Sequence, residues 1–168
     1  MISILHIYHG DGKGKTSSAI GLAIRASGAG LDVVFLQFLK NGTSSEIGVL
    51  QNIPNISVLC CEVCNKFSFR MNNHEKNIVT LRHNTMIQQA FNSSASVIIL
   101  DEFLDAYNLN LIDRSSAHNL IIGDNREIIL TGRNPAEIFL DNADYISEIN
   151  AVRHPYKSGV SARKGIEF

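Results

Sequence analysis

The sequence has no tryptophan, only three prolines and three cysteines, and no apolar run long enough to cross a bilayer. Its cysteines fall within one short segment, so they are not the disulfide framework of a small secreted domain. Fifteen basic and sixteen acidic residues give a net charge of −1. Without an excess of positive charge there is no electrostatic basis for binding nucleic acid or acidic lipid. We therefore expect neither nucleic acid nor a membrane as a partner.

What is present is typical of an ordinary globular protein. The 168 residues are 45% hydrophobic and 18% charged, which suits one domain with a sizeable core. Internal repeats, low-complexity segments and linker composition are absent, so residues 1–168 are interpreted as a single domain. The first residues, Ile-Ser-Ile-Leu at 2–5, lack a basic leader and a small-residue cleavage site. We interpret them as a strand and expect a cytoplasmic protein.

Apolar runs alternate with helical patterns along the whole chain. Strands are predicted at residues 2–8, 33–39, 56–61, 96–100, 127–131 and 145–149. Helices are predicted at residues 17–27, 74–92, 114–122 and 135–140, the last with Pro135 at a favourable early position. Continuous apolar strands separated by helices predict an α/β fold, with a mainly parallel sheet covered by helices on both faces.

The three cysteines, Cys60, Cys61 and Cys64, form a Cys-Cys-x-x-Cys cluster. Cys61 and Cys64 have the spacing of a redox motif and of half a zinc site. A second Cys-x-x-Cys is missing, and the nearest histidine, His74, stands ten residues past Cys64 without a partner at ligand spacing. The plainer interpretation is the end of a strand followed by a loop in a reducing compartment.

A glycine-rich segment, His-Gly-Asp-Gly-Lys-Gly-Lys-Thr at 9–16, joins the first predicted strand to the first helix. Strand, glycine loop and helix in this order form the context of a phosphate-binding P-loop. Glycines let backbone N–H groups approach phosphate oxygens, and the helix N-terminus adds partial positive charge. Lys15 supplies a full charge for the outer phosphates and Thr16 a hydroxyl for magnesium. The consensus expects a glycine where this chain has His9; a solvent-exposed glycine turn is the alternative.

A nucleotide site also needs an acidic residue at the end of a neighbouring buried strand. Asp101 and Glu102 follow the apolar run at 96–100 and meet that requirement. Carboxylate oxygens there suit a magnesium ion, directly or through water. Capping of the following helix by Asp101 is the alternative. With the glycine loop, this pair predicts a P-loop NTPase-like fold, but kinase, ATPase, motor and transferase activities all stay open.

Four segments together resemble one family. They are Gly-Asp-Gly-Lys-Gly-Lys-Thr at 10–16, Leu-Asp-Glu at 100–102, Thr-Gly-Arg at 131–133 and Ser-Gly-Val-Ser-Ala-Arg-Lys-Gly-Ile-Glu-Phe at 158–168. They occur in the same order as in the P-loop-type corrinoid adenosyltransferases, and the resemblance runs from Ile4 to the last residue. The C-terminal segment discriminates best, because a generic P-loop protein has no reason to end in this way.

The resemblance implies an unusual use of ATP. A Co(I) corrinoid attacks the 5′ carbon of the ribose and intact tripolyphosphate leaves, with ATP bound in reverse relative to most P-loop enzymes. It implies Mg²⁺ or Mn²⁺ as cofactor, a reduced flavoprotein as electron donor and a homodimer. It assigns catalysis to Lys15, Phe67 and Phe69, with metal binding by Thr16, Asp101 and Glu102. The implied nucleotide-binding residues are Gly10, Asp11, Gly12, Lys13, Gly14, Lys15, Thr16 and Arg133.

The same resemblance places the corrin at the loop Asn-Lys-Phe-Ser-Phe-Arg, residues 65–70. Family members carry aromatic residues there that pack against the lower corrin face and displace its axial ligand, and Phe67 and Phe69 fall on those positions. The family often has tryptophan at the second position, where this chain has Phe69. Core packing within a strand is the alternative interpretation of both rings.

Other assignments are left open by the sequence. Arg25 is expected either near the nucleotide or simply at a helix C-terminus. Arg133 is expected either in the nucleotide site or in a structural ion pair. Lys13 is expected either to contact phosphate or to face solvent. Four basic residues near the C-terminus are candidates for closing over the corrin, with a solvated tail as the alternative: His154, Lys157, Arg163 and Lys164. Many relatives carry an extension before the first strand, so corrin closure and dimer contacts have less support than ATP binding. A small P-loop kinase and a non-catalytic carrier of adenosylated corrinoid are the rival functions.

Overall fold

The computed structural model describes residues 4–167, apart from the side chains of Tyr156 and Lys157. Within this range it has six strands: β1 (Ile4–His9), β2 (Val33–Gln37), β3 (Ile56–Cys60), β4 (Val97–Asp101), β5 (Glu127–Gly132) and β6 (Tyr145–Glu148). The α-helices of the same range are α1 (Lys15–Gly28), α2 (Ser45–Leu50), α3 (Asn73–Phe91), α4 (Phe103–Asn108), α5 (Arg114–Ile122) and α6 (Glu137–Leu140). Short 3₁₀ helices occupy Ser68–Arg70 and Pro155–Ser158.

The strands form one sheet in the order β3-β2-β4-β5-β1-β6, and every neighbouring pair is parallel. Alternate strand residues enter two apolar clusters on opposite faces. Val34 and Leu36 belong to the larger cluster with α3, α4 and α5, whereas Val33 and Phe35 pack with α1 and α2. Because both faces are buried, the central strands are continuously apolar. The predicted α/β fold, a parallel sheet with helices on both faces, is confirmed.

Every predicted strand and helix is present, with bounds shifted by about two residues or less, as helix and strand ends commonly are. The first strand is described from Ile4, so the predicted residues 2 and 3 lie outside the described part. One prediction about local structure was wrong: α6 begins at Glu137 with Ala136 as its N-cap, so Pro135 lies before the helix instead of in its first turn. Neither α2 nor α4 was predicted, because each has only six residues and shows little helical periodicity.

The parallel arrangement brings the carboxyl ends of four strands to the same edge of the sheet. The glycine loop follows β1, Lys40 follows β2, Asp101 ends β4 and Thr131 lies near the end of β5. Ligands of open parallel sheets bind at this edge. Among the described helices, none is long and apolar enough to cross a membrane.

Candidate active site

The glycine loop turns sharply from β1 into α1. Gly14 is the N-cap of α1 with φ of 125°, a left-handed region that glycine adopts without the penalty a side chain would incur. Lys15 opens the helix, is only 9% exposed, and donates a hydrogen bond from Nζ to the carbonyl oxygen of Gly12 at 2.8 Å. The ammonium group is therefore held inside the loop, where its charge adds to that of the helix N-terminus.

Two of the loop glycines are required by protein packing. A Cβ on Gly12 would lie 2.6 Å from the carbonyl oxygen of Ile149, and a Cβ on Gly10 would collide with the same atom. The segment after β6 crosses the loop here, and its Ile149 carbonyl accepts a hydrogen bond from Gly12 N–H at 2.8 Å. From the sequence, these glycines are explained only by the close approach of phosphate to the backbone. Contact with the segment at Ile149 is a second, independent reason why a side chain is excluded at both positions.

Gly12→Ala should destabilise the fold by about 1–3 kcal/mol, because its Cβ meets rigid backbone and the two segments must move apart. The matched control is Gly21→Ala, at an exposed position inside α1 where a Cβ would meet nothing within 4 Å. Alanine there should stabilise by about 0.5–1 kcal/mol. Urea denaturation of both variants measures the difference. If both variants unfold at the same urea concentration, the Ile149 contact does not constrain the loop.

The acidic strand end is tied to the glycine loop by hydroxyl groups. Asp101 Oδ1 accepts hydrogen bonds from Thr16 Oγ1 at 2.8 Å and from Thr131 Oγ1 at 2.7 Å. Thr131 Oγ1 in turn accepts the N–H of Glu102 at 2.9 Å. The N-cap of α4 is Glu102, and no side chain caps that helix. The alternative that Asp101 caps the following helix is therefore excluded.

The other oxygen of Asp101 is buried and lacks a hydrogen bond. Among the described residues, Oδ2 is one of two fully buried side-chain atoms without a hydrogen-bond partner. The ammonium of Lys40 lies 3.9 Å from Oδ2 and 3.8 Å from Glu102 Oε1. An orphaned carboxylate oxygen beside a second carboxylate and a threonine hydroxyl is an all-oxygen donor set, and Mg²⁺ and Mn²⁺ prefer such ligands.

Burial perturbs the charged groups of this cleft. It raises the pKa of Asp101 and, with Lys40 opposing the shift, also raises the pKa of Glu102. Burial lowers the pKa of Lys15, and the positive charge of Arg133 adds to this effect. Desolvated charges of this kind need counter-charges close by. A divalent cation beside the acids and a polyphosphate beside Lys15 would supply them.

An open cleft of about 210 Å³ exposes the loop to solvent. It is lined by residues 11–17 of the loop together with Lys40, Glu102, Arg133, His154, Ile166 and Glu167. A second cleft of about 360 Å³ shares Thr16, Ser17 and Lys40 and extends along α2. A nucleotide consists of a triphosphate and a nucleoside. The two adjoining clefts together offer room for both parts.

Residues at the rim of the cleft are held by ion pairs. Arg133 pairs with Asp105, since its Nη1 lies 3.9 Å from Asp105 Oδ1 and its backbone N–H donates to Oδ2 at 2.9 Å. Lys13 Nζ lies 3.1 Å from Glu167 Oε1, which also pairs with Arg163. The hydrogen bonds from Arg163 lower the pKa of Glu167 to about 2. The C-terminal segment thus lies against the glycine loop, and Lys13 faces this segment in the structure.

Phe67 and Phe69 are at the surface. They are 70% and 77% exposed, and their rings stack nearly in parallel, with centroids 5.5 Å apart and 9° between their planes. The Arg70 guanidinium lies 5.6 Å from the Phe69 centroid. This exposure excludes core packing, the alternative interpretation of these two residues. It leaves a flat aromatic surface bordered by positive charge.

Other candidates are separated from the loop. Arg25 lines a different cleft at the amino ends of the strands, together with Ile4 and Leu31, so it does not reach the nucleotide side. Lys40 was missed by sequence reasoning, although it lines both clefts beside the glycine loop. The available signal was its place just beyond β2, at the carboxyl edge of the predicted sheet.

Comparison with known proteins identifies the family of the chain. A family model described as "ATP:corrinoid adenosyltransferase BtuR/CobO/CobP" matches residues 2–168. A protein named corrinoid adenosyltransferase CobA from Salmonella typhimurium is 32% identical, over 98% of this chain and 85% of its own. Corrinoid adenosyltransferases from Escherichia coli and Pseudomonas aeruginosa are 30% and 28% identical, over 98% of this chain and 85% and 83% of theirs. The chain therefore belongs to the ATP:corrinoid adenosyltransferase family, enzymes that transfer the adenosyl group of ATP to a corrinoid.

Proposed function

We propose that this chain, acting as a single domain, transfers the 5′-deoxyadenosyl group of ATP to Co(I) of a corrinoid and releases intact tripolyphosphate. The observation that carries the proposal is the arrangement around Lys15. A buried ammonium at a helix N-terminus lies in one cleft with Glu102, and directly behind Glu102 the buried Asp101 has a carboxylate oxygen without a hydrogen-bond partner. The family match supplies the second substrate.

In this proposal the loop binds the triphosphate. Lys15, Arg133 and the backbone of residues 10–16 surround the phosphate oxygens, with Lys13 joining them if its pair with Glu167 opens. Thr16, Asp101 and Glu102 would hold Mg²⁺, or Mn²⁺ in its place. A bound divalent cation would neutralise charge on the departing triphosphate.

The chemical step balances without a protein base. The electron pair of Co(I) forms the Co–C5′ bond, the C5′–O bond breaks, and its electron pair leaves with the tripolyphosphate. Cobalt is thereby oxidised from Co(I) to Co(III). Because Co(I) is a very strong nucleophile, the protein contributes orientation of C5′ and electrostatic stabilisation of the leaving group. In this proposal, the cations of the loop stabilise the charge that develops on the leaving tripolyphosphate.

The corrin surface is assigned to Phe67 and Phe69. Their exposed, stacked rings suit the flat lower face of a corrin. Arg70, which lies against the Phe69 ring, and Lys66, which pairs with Glu75, would meet its amide and carboxylate side chains. Displacing the lower axial ligand would make Co(II) easier to reduce. A reduced flavoprotein as electron donor, a homodimer and a cytoplasmic location belong to the same proposal by analogy with the family.

Product analysis tests the proposal. Phosphorus NMR after incubation with ATP, Mg²⁺ and chemically reduced cobalamin should show tripolyphosphate, in step with the colour change of Co–C bond formation. ADP with a phosphorylated acceptor would instead indicate a kinase. Tight binding of adenosylated corrinoid without turnover would indicate a carrier. A reaction lacking the corrinoid is the control for simple ATP hydrolysis.

A further inference from the structure

The cysteine motif has no histidine at ligand spacing in the sequence, but the fold brings one next to it. Cys61 and Cys64 meet His83, nineteen residues further along and in the middle of α3. One sulfur from each cysteine and one imidazole nitrogen lie within 4.8 Å of each other. Cys61 and His83 are fully buried, and Cys64 is 5% exposed. The cluster lies on the opposite side of the sheet from Cys60, which packs in the other apolar cluster.

Hydrogen bonding orients the imidazole toward the sulfurs. His83 Nδ1 lies 3.0 Å from the carbonyl oxygen of Leu111, and because a carbonyl only accepts, Nδ1 carries the proton. The lone pair is then on Nε2, which lies 3.8 Å from Cys64 Sγ. Nε2 also accepts a long hydrogen bond of 3.4 Å from the N–H of Leu39, and the Cys61 thiol is a further hydrogen-bond partner of the His83 ring. A backbone carbonyl on the far nitrogen is the usual second partner of a metal-binding histidine.

We propose that Cys61, Cys64 and His83 bind a thiophilic metal ion, with Zn²⁺ as the expected occupant. Two thiolates and an imidazole are zinc ligands, and a water completes the tetrahedron. The proposal is independent of the adenosyltransferase reaction, because the donors lie outside both clefts at the glycine loop.

The distances come close to those of this donor set without matching them. Sulfurs bound tetrahedrally at about 2.3 Å from zinc are about 3.8 Å apart, and a sulfur and a nitrogen about 3.5 Å. The structure has 2.9 Å between the sulfurs and 3.8 Å between Cys64 Sγ and Nε2. To form the site the sulfurs would have to move apart by roughly 0.9 Å. The Cys61 sulfur already lies within 4.8 Å of the imidazole nitrogen. A Cys61–Cys64 disulfide would need a similar movement in the opposite direction, to about 2.05 Å, and would leave the oriented imidazole unused.

The metal would tie the aromatic loop to the fold. Cys61 directly follows β3 and begins the segment that carries Phe67 and Phe69, whereas His83 belongs to the long helix that follows that segment. An ion bound to both would close this connection into a cross-linked loop. Metal binding should therefore slow amide exchange at residues 61–72.

Zinc stoichiometry tests the proposal. Reduced full-length protein, dialysed with zinc and freed of excess, should hold one equivalent by elemental analysis. Its zinc X-ray absorption should show two sulfur neighbours at about 2.3 Å and imidazole nitrogen at about 2.0 Å. Cys61→Ser and Cys64→Ser should lose the bound zinc. Cys60→Ser, an equally buried cysteine on the other face, should keep it.

If a variant of a buried cysteine fails to fold, the zinc X-ray absorption spectrum of the unmodified protein still tests the proposal. Reduced protein that retains no zinc would overturn the proposal. So would zinc bound without sulfur neighbours, or a Cys61–Cys64 disulfide that persists after reduction in the presence of zinc. An equal loss of zinc in Cys60→Ser would show that another cysteine arrangement binds the ion.

Discussion

Lys15→Ala should lower turnover of ATP and Co(I) corrinoid at least about 100-fold, the usual effect of losing one group that stabilises a developing anion. The side chain is buried in the loop and anchored to Gly12, so no neighbouring cation occupies the same position. Both the affinity for ATP and the rate of tripolyphosphate release should fall. Initial rates measured with chemically reduced cobalamin, at several ATP concentrations, separate the two effects.

The fold should tolerate this change. Lys15→Ala removes one hydrogen bond to Gly12, worth about 1 kcal/mol, and also removes a partly desolvated charge. Circular dichroism and thermal unfolding provide the control for structure. Lys76→Ala, on α3 and outside both clefts at the loop, provides the control for removing a lysine. Unchanged activity in Lys15→Ala would mean that the phosphate assignment is wrong.

Phe67→Ala should slow the reaction that starts from Co(II) roughly tenfold more than the reaction that starts from pre-reduced Co(I). An aromatic contact worth about 1.5 kcal/mol corresponds to that factor. The expected cause is that, without the ring, the lower axial ligand of the corrinoid stays bound and Co(II) is harder to reduce. Parallel assays, one with a reduced flavoprotein and Co(II) and one with Co(I), measure the ratio.

The position of Phe67 makes this comparison interpretable. Because the ring is 70% exposed, its removal should change the free energy of unfolding by less than about 0.5 kcal/mol. Leu81→Ala is the matched control, since Leu81 is an equally exposed apolar residue on α3. Equal losses from Co(II) and Co(I) would contradict the axial-ligand role.

The sheet was predictable because each of its strands can be recognised from a short stretch of sequence. Each central strand is a short continuous apolar run, and the residue that ends it, such as Asp101, was visible in the same window. The glycine loop was equally local, with strand, turn and helix in one stretch. Short α2 and α4 escaped prediction since six residues carry too little periodicity and their helical form depends on packing.

Most of what the sequence left open depends on contacts between distant segments. Lys40 approaches Asp101 only because β2 pairs with β4, and Gly12 meets Ile149 only because β6 lies beside β1. His83 reaches the cysteines through the packing of α3 on the sheet. Spacing rules for metal ligands examine nearby residues, so they stopped at His74. The sequence pattern could not predict that Phe67 is exposed, because two aromatic residues at i and i+2 fit a strand as well as a loop.

In the proposed complex, the loop of residues 10–16 binds the triphosphate while C5′ of ATP faces the corrin. A crystal structure of the protein with ATP and Mg²⁺ tests this most directly. We expect the phosphates against Lys15 and the loop amides, the metal ion beside Thr16, Asp101 and Glu102, and C5′ open to the corrin side. A nucleotide bound elsewhere, with the loop empty, would contradict the account.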